Sequence, residues 1–201
     1  GAMLTGLTQS CAYKALCERS QLKHTKRPRT LENIKLAKQG AKESFGYMPS
    51  EQTLWKSVQH KDIDWNTRYL LWMSLHGAYC IGAKWLSFGP QYHDQVYCKH
   101  CNNVTEDMAH IMTECSSPGQ IEIWELVGKL LEKHGIPWHP PSMANLLACA
   151  ALIFRAQNGN RDSGREHFYC IIMSLSMQVI WNARCERVIQ NNNSPFSPVQ
   201  I

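Results

Sequence analysis

Three cysteines and two histidines lie within the eighteen residues CKHCNNVTEDMAHIMTEC, which run from Cys98 to Cys115. Cys98 and Cys101 form a Cys-x-x-Cys pair, eight residues separate Cys101 from His110, and four residues separate His110 from Cys115. Thiolate sulfur and imidazole nitrogen are donors that zinc prefers, and four protein ligands complete its tetrahedral shell. The spacing therefore predicts a zinc knuckle with one structural Zn²⁺ ion, held by Cys98, Cys101, His110 and Cys115.

Two other kinds of chemistry fit parts of this segment. A Cys-x-x-Cys pair can cycle between dithiol and disulfide, but redox pairs usually open a helix that follows a strand, and no such context is visible. A catalytic zinc usually keeps one position open to water, whereas four good ligands are present here. His93 and His100 are spare ligands, and His100 is expected to point away because it lies inside the cysteine pair.

The segment EDMAHIMTEC is predicted to form a short helix that begins near Glu106 and carries His110. Cys115 lies five positions after His110, about 140° further round a continuous helix, so it could not face the same ion from within that helix. We therefore expect the helix to end by Cys115, and the sequence Ser-Ser-Pro-Gly at 116–119 provides the break.

The surrounding chain reads as a series of helices. Apolar residues recur at three- and four-residue steps, and no strand-like alternation exceeds four residues, so the predicted class is mainly α. Helices are predicted over 30–45, 66–86, 119–135, 142–159 and from about Asp162 to 190. The predicted core consists of Trp72, Met73, Ile111, Trp124, Leu130, Leu147, Phe154, Ile172, Leu175 and Trp181, and Trp65 and Trp85 are also expected to be buried.

The same pattern suggests three segments. Residues 1–49 are predicted to be a basic helical segment or linker, 50–190 a helical zinc-binding domain, and 191–201 a disordered tail with two prolines. Gly1-Ala2-Met3 resembles the remnant of a cleaved expression tag, so the natural chain is expected to continue upstream.

Composition narrows the class of protein. A hydrophobic fraction of 44% allows a sizeable core. The sequence contains no run of eighteen apolar residues, so no membrane span is predicted. Nine cysteines is an odd number, and no secretory signal precedes them, so a reduced protein inside the cell is expected, nuclear, cytoplasmic or both. In that setting clustered cysteines more often bind metal than pair with each other.

Positive charge is concentrated near the N-terminus. Residues 14–42 carry nine basic and two acidic side chains, a local charge of +7, so the rest of the chain carries −2 of the net +5. Such a patch is typical of proteins that contact nucleic acid phosphates, although a solvated helix face or a basic linker is the simpler alternative. The candidate nucleic-acid-binding residues are Lys23, Lys26, Arg27 and Arg29, with Tyr97 beside the knuckle as a residue that could stack on a base.

Three stretches together resemble one family of proteins. They are DWNTRYLLWMSLHGAYCIGAKW, CKHCNNVTEDMAHIMTECSSPGQIEIWEL and VIWNARCERVI. The pattern is similar to the zinc-binding region that follows the reverse transcriptase, and often a ribonuclease H domain, in polyproteins of fungal non-LTR (LINE-type) retrotransposons. The matching positions are Trp72, Leu75-His76-Gly77, Cys98, Cys101, Glu106-Asp107, His110, Cys115, Trp124 and Trp181 to Arg187.

The resemblance implies a non-catalytic module that helps the transcriptase engage RNA or target DNA, with the polymerase and nuclease domains upstream in the parent polyprotein. The residues themselves offer no catalytic constellation: Asp62 and Asp64 could present two carboxylates to Mg²⁺, but no further acidic partner is evident. The alternative function is a domesticated, free-standing domain that binds another protein and uses zinc for stability.

Overall fold

The computed structural model describes residues 8–21 and 27–190; for residues 20 and 21 it describes the backbone alone. Within these ranges the protein is mainly α, as predicted, and its extended pairing is limited to two isolated bridges. Lys23, Lys26 and the tail 191–201 lie outside the described residues. The α-helices are α1 (Gln9–Gln21), α2 (Pro28–Phe45), α3 (Glu51–Ser57), α4 (Trp65–Leu75), α5 (Gln120–Lys133), α6 (Met143–Ala148) and α7 (Ser163–Cys185).

Helix α4 is shorter than the sequence predicted. It begins where the Asp64 carboxylate accepts hydrogen bonds from the backbone N–H groups of Asn66 and Thr67, at 2.9 and 3.3 Å. It ends at His76 because Gly77 takes a left-handed conformation with φ of +52°, which a side chain at that position would make unfavourable. The predicted helical element over 66–86, which Gly77 and Gly82 interrupt in the sequence, therefore ends early, and two 3₁₀ segments follow it, Gly82–Phe88 and Pro90–Gln95.

The predicted helix over 142–159 is also broken. Ser142 caps α6, but the chain leaves the helical path after Ala148. The backbone N–H of Phe154 donates to the Glu166 carboxylate at 3.1 Å, so a side chain from α7 provides the acceptor that a continued helix would have provided. Asp162 then caps α7 by accepting from the N–H of Arg165 at 3.1 Å, which agrees with the predicted start.

One hydrophobic core joins most of these helices. Helix α2 contributes Ile34, Ala37 and Ala41 to it, so α2 shares the core of the helices that follow residue 50. Gly40 brings α2 against α6, since a Cβ atom built there would lie 2.4 Å from the Cβ of Ala144. The turn His110–Glu114, α5 and α7 complete the core, with Met112, Leu131, Met173 and Met177 almost fully buried.

The predicted core was correct in part. Ile111, Trp124, Leu147 and Phe154 are buried, and Met73, Leu130, Ile172, Trp181 and Trp85 are half-buried. Trp65, Trp72 and Leu175 were expected in the core, but they are 78%, 43% and 45% exposed. The reason in α4 is that Leu70, Leu71 and Leu75 already form its buried face, which leaves the aromatic residues on the opposite side.

Among the helices that the described ranges contain, none combines the length and the apolar character needed to cross a bilayer.

Candidate metal centre

The first half of the candidate centre is a small hairpin-like loop. The N–H of Cys98 donates to the carbonyl of Val104 at 2.8 Å, and the N–H of Glu106 donates to the carbonyl of Val96 at 2.9 Å. The chain reverses through Asn102 and Asn103, whose φ values of +45° and +57° are tolerated by asparagine better than by most residues. This turn presents Cys98 and Cys101 from one loop.

The second half is a single turn of π-helix, His110–Glu114. The Asp107 carboxylate accepts from the N–H of His110 at 2.8 Å, and the N–H of Cys115 donates to the carbonyl of His110 at 2.8 Å. Cys115 itself is extended, with φ −71° and ψ 129°. The prediction that the helix ends by Cys115 is confirmed, and the wide final turn brings Cys115 back to the side that carries His110.

These two halves bring the four predicted ligands into one cluster, which we call the CCHC cluster: Cys98, Cys101, His110 and Cys115. Their donor atoms all lie within 4.8 Å of one another. The sulfur of Cys115 is 3.8 Å from that of Cys98 and 3.7 Å from that of Cys101. Two sulfurs each about 2.3 Å from a tetrahedral ion are about 3.7–3.8 Å apart, whereas a disulfide needs about 2.05 Å. The cluster could therefore hold a metal ion.

The histidine also fits a metal ligand. His110 is buried, and its Nε2 atom has no hydrogen-bond partner within the described chain. A buried polar atom without a partner costs free energy, and a bound cation would supply the missing interaction. His93 and His100, the spare candidates, are exposed and do not belong to the CCHC cluster.

Groups behind the ligands fix the turn that carries His110. The Gln120 side-chain amide donates to the carbonyls of His110 and Ile111, at 3.3 and 2.7 Å. The Trp124 indole N–H donates to the carbonyl of Met112 at 2.7 Å. The first turns of α5 thus satisfy backbone carbonyls that the irregular helix leaves open, and such outer contacts hold metal ligands in place.

An ion pair attaches the hairpin-like loop to α7. Glu106 ends that loop and Arg184 lies near the end of α7, and their side chains are only 7% and 13% exposed. The guanidinium group contacts both carboxylate oxygens, with Nε 3.2 Å from Oε1 and Nη2 close to Oε2. Because each charge is removed from water, each depends on the other for compensation.

Metal binding should release protons and should weaken as the pH falls. Burial raises the pKa of the Cys115 thiol to about 12, so the metal-free protein carries this group protonated at neutral pH, and the ion must displace the proton to bind sulfur. We expect zinc titrations in buffers of different ionisation enthalpy to show release of at least one proton per ion at pH 7. Binding without proton release would contradict this expectation.

Only part of the predicted nucleic-acid surface lies within the described residues. Arg27 and Arg29 are exposed at the start of α2, and Tyr97 is 46% exposed. The Arg29 side chain lies against Gly77, and Lys84 donates to the carbonyl of Gly77. Both basic side chains therefore lie beside Gly77. Burial lowers the pKa of Lys84, and the nearby charges of Arg29 and Arg27 lower it further. We call Arg27, Arg29 and Lys84 the basic patch.

Exposed aromatic rings lead toward that patch. Trp65, Tyr69 and Trp72 lie on one face of α4 and are 78%, 53% and 43% exposed, and we call them the aromatic stripe. The Trp72 ring is 4.3 Å from the ring of His76, which in turn contacts Thr30 at the start of α2. Lys84 also lies next to the half-buried Trp85, whose ring is near the exposed rings of Phe88 and Tyr92.

Lys84 and the aromatic stripe were not predicted from the sequence. Tyr69, Trp72 and His76 follow the three- and four-residue steps of a helix, and this spacing fits an exposed face as well as a buried one. The sequence does contain a signal that distinguishes the exposed face of α4 from the buried one. Leu70, Leu71 and Leu75 form a second stripe that is purely aliphatic and therefore better suited to the core.

Comparisons of the chain with family models, with curated proteins and with solved structures find no match.

Proposed function

We propose that this protein is a non-catalytic, zinc-stabilised module that binds RNA or single-stranded DNA, derived from a retrotransposon reverse transcriptase polyprotein. The observation that carries the proposal is the basic patch at the end of an exposed aromatic stripe. Both lie on a helical fold that also contains the four-ligand CCHC cluster. The module acts inside the cell, in the nucleus, the cytoplasm or both, alongside the transcriptase and ribonuclease H domains of its parent.

Zinc is the metal that best suits the CCHC cluster. Three thiolates and one imidazole form a soft, tetrahedral donor set of the kind that selects zinc over magnesium or calcium. The four ligands fill its shell and leave no position for water, which supports a structural role. When bound, the ion would cross-link the loop at 96–106 to the turn at 110–115.

The exposed surface supports nucleic acid as the partner. Arg27 and Arg29 can neutralise phosphates, and the rings of the aromatic stripe can stack on unpaired bases. A cavity of ≈ 410 Å³ beside the stripe is lined by Trp65, Tyr69, Tyr79 and Trp181 among others. Stacking on open rings requires unstacked bases, so single strands should bind better than duplexes.

Salt dependence tests the electrostatic part of this proposal. For labelled single-stranded RNA and DNA we expect affinity to fall with salt, and the Arg27→Ala/Arg29→Ala variant to flatten the slope of log K against log salt by about 1.4, at about 0.7 per phosphate contact. The matched control is Lys129→Ala/Lys133→Ala, which removes equal charge from the exposed side of α5 and should leave the slope unchanged.

A second variant tests whether bases stack on the aromatic stripe. Trp65→Ala should weaken single-strand binding roughly tenfold, since one base stacked on an aromatic side chain contributes about 1–3 kcal/mol. Leu126→Ala, an exposed apolar residue on α5, is the control. If neither strand type binds at low salt, the proposal fails, and a protein partner for the same surface becomes the next hypothesis to test.

A further inference from the structure

A second group of potential metal ligands lies far from the CCHC cluster. His60 and Asp62 belong to the connection between α3 and α4, and His167 lies in the first turns of α7. Their donor atoms all fall within 4.8 Å of one another. The Asp62 Oδ2 atom is 3.1 Å from His167 Nδ1 and 3.5 Å from His60 Nδ1. We call these three residues the His–Asp–His cluster.

The Asp62 oxygen at the centre of this cluster has no hydrogen bond. Oδ2 is inaccessible to water, yet no donor within the described chain is aimed at it. His60 Nδ1 accepts the backbone N–H of Asp62 at 3.3 Å, so this nitrogen is unprotonated and cannot donate to the carboxylate. His167 Nδ1 is close enough to donate, but the geometry of a hydrogen bond is not met. One acceptor nitrogen and one poorly directed donor thus face the buried carboxylate oxygen.

We propose that the His–Asp–His cluster binds a divalent first-row transition metal ion, with at least one coordination position open. Ligands of one ion point at a common centre rather than at each other, which accounts for close atoms without hydrogen bonds. An imidazole nitrogen and a carboxylate oxygen, each about 2.0–2.2 Å from an ion, are separated by about 2.9–3.4 Å. The observed separations of 3.1 and 3.5 Å lie close to this range, and an ion at His60 Nδ1 would replace the long hydrogen bond that this nitrogen accepts from the Asp62 N–H. Two imidazoles and one carboxylate form a donor set used by zinc and iron.

The neighbouring cavity explains why a position stays open. It has a volume of ≈ 310 Å³ and is bordered by His60, His167, Glu166 and Cys170. Glu166 is not a free fourth ligand, because both its oxygens accept from Arg161 Nε, at 2.9 and 2.8 Å, and Oε1 also accepts from the N–H of Phe154. The remaining positions of the ion would face this cavity, where water or a small oxygen-donor ligand can bind.

Hydrogen bonds and packing hold the backbone between α3 and α4, which carries His60 and Asp62, before any ion binds. Ile63 is buried beside the cluster, and its carbonyl accepts from Arg68 Nε at 2.7 Å. Asp64 is held as the cap of α4, and the N–H of His60 donates to the carbonyl of Ser57 at 3.0 Å. A loop held at both ends presents His60 and Asp62 to His167 with little ordering left to occur on binding.

Metal counting tests the proposal without reference to nucleic acid. Protein saturated with Zn²⁺ and freed of excess ion should contain two zinc ions per chain, and Asp62→Asn and His167→Gln should each contain one. The matched controls are Asp94→Asn and His93→Gln, an exposed pair outside both clusters, which should keep two ions. Equal zinc content in the wild type and in Asp62→Asn would overturn the proposal.

Co²⁺ absorption distinguishes the two sites, and NMR of the wild type tests the second site without a variant that could misfold. Co²⁺ at the CCHC cluster should give thiolate-to-metal charge transfer, whereas Co²⁺ at the His–Asp–His cluster should add weaker ligand-field bands alone. Asp62→Asn should lose only the second signal. In the wild type, the ring-nitrogen NMR signals of His60 and His167 should shift as the second equivalent of zinc is added, and unshifted signals would count against the site even if a variant failed to fold.

Discussion

Replacing Cys115 with serine is expected to remove the metal of the CCHC cluster and to cause one of the two largest losses of stability among the substitutions considered. The change deletes the buried sulfur that lies within 3.8 Å of both other sulfurs, and a hydroxyl is a poor zinc ligand. If zinc is present at about a thousand times its dissociation constant, losing the ion costs about 4 kcal/mol. For a chain of this size the melting temperature should fall by roughly 8–16 °C.

Cys101→Ser should behave similarly, since Cys101 belongs to the same ligand set. The controls are His100→Gln, which changes a histidine in the same loop outside the ligand set, and Cys80→Ser, which removes an exposed thiol. Thermal denaturation with metal analysis separates the outcomes. Unchanged melting and unchanged metal content in Cys115→Ser would remove the case for a structural ion, as would equal losses in the controls.

Arg184→Leu is expected to cause the other large loss of stability. It leaves the Glu106 carboxylate buried without its only ionic partner among the described residues, and breaking a buried pair in this way costs about 3–5 kcal/mol. The melting temperature should drop by roughly 6–20 °C. Hydrogen exchange should rise first in residues 96–106, because the contact that holds this loop to α7 is lost.

The double variant Glu106→Gln/Arg184→Leu provides the sharper test. With both charges removed, no uncompensated charge stays buried, so the double variant should be more stable than Arg184→Leu alone. Arg155→Leu is a suitable control, because Arg155 is exposed and, within residues 8–21 and 27–190, its guanidinium hydrogen-bonds only the nearby carbonyl of Gly159. Equal stability of Arg184→Leu and wild type would show that the ion pair contributes nothing.

The CCHC cluster could be predicted because its ligands are close in sequence and its turns are local. Eighteen residues contain all four ligands, and the break after Glu114 was implied by the angle between His110 and Cys115 and by the Ser-Ser-Pro-Gly that follows. The π turn was not foreseen, because it depends on Gln120 and Trp124, which satisfy the displaced carbonyls from a different helix.

Features that depend on distant residues were not predictable from one sequence. His60 and His167 meet only through the packing of α7 on the connection before α4, and no local pattern links them. Trp65 and Trp72 illustrate the same limit at short range: large aromatic residues at helical spacing usually pack inside, and their exposure follows from the leucines that occupy the buried face.

The contact between Glu106 and Arg184 also sets an order of events during synthesis. All four CCHC ligands have been made by residue 115, but Arg184 is added 69 residues later, roughly 3–14 s at ordinary translation rates. During that interval Glu106 remains hydrated, and the nascent loop would be free to bind an ion before it packs against α7. An ion bound then would be enclosed when Arg184 pairs with Glu106.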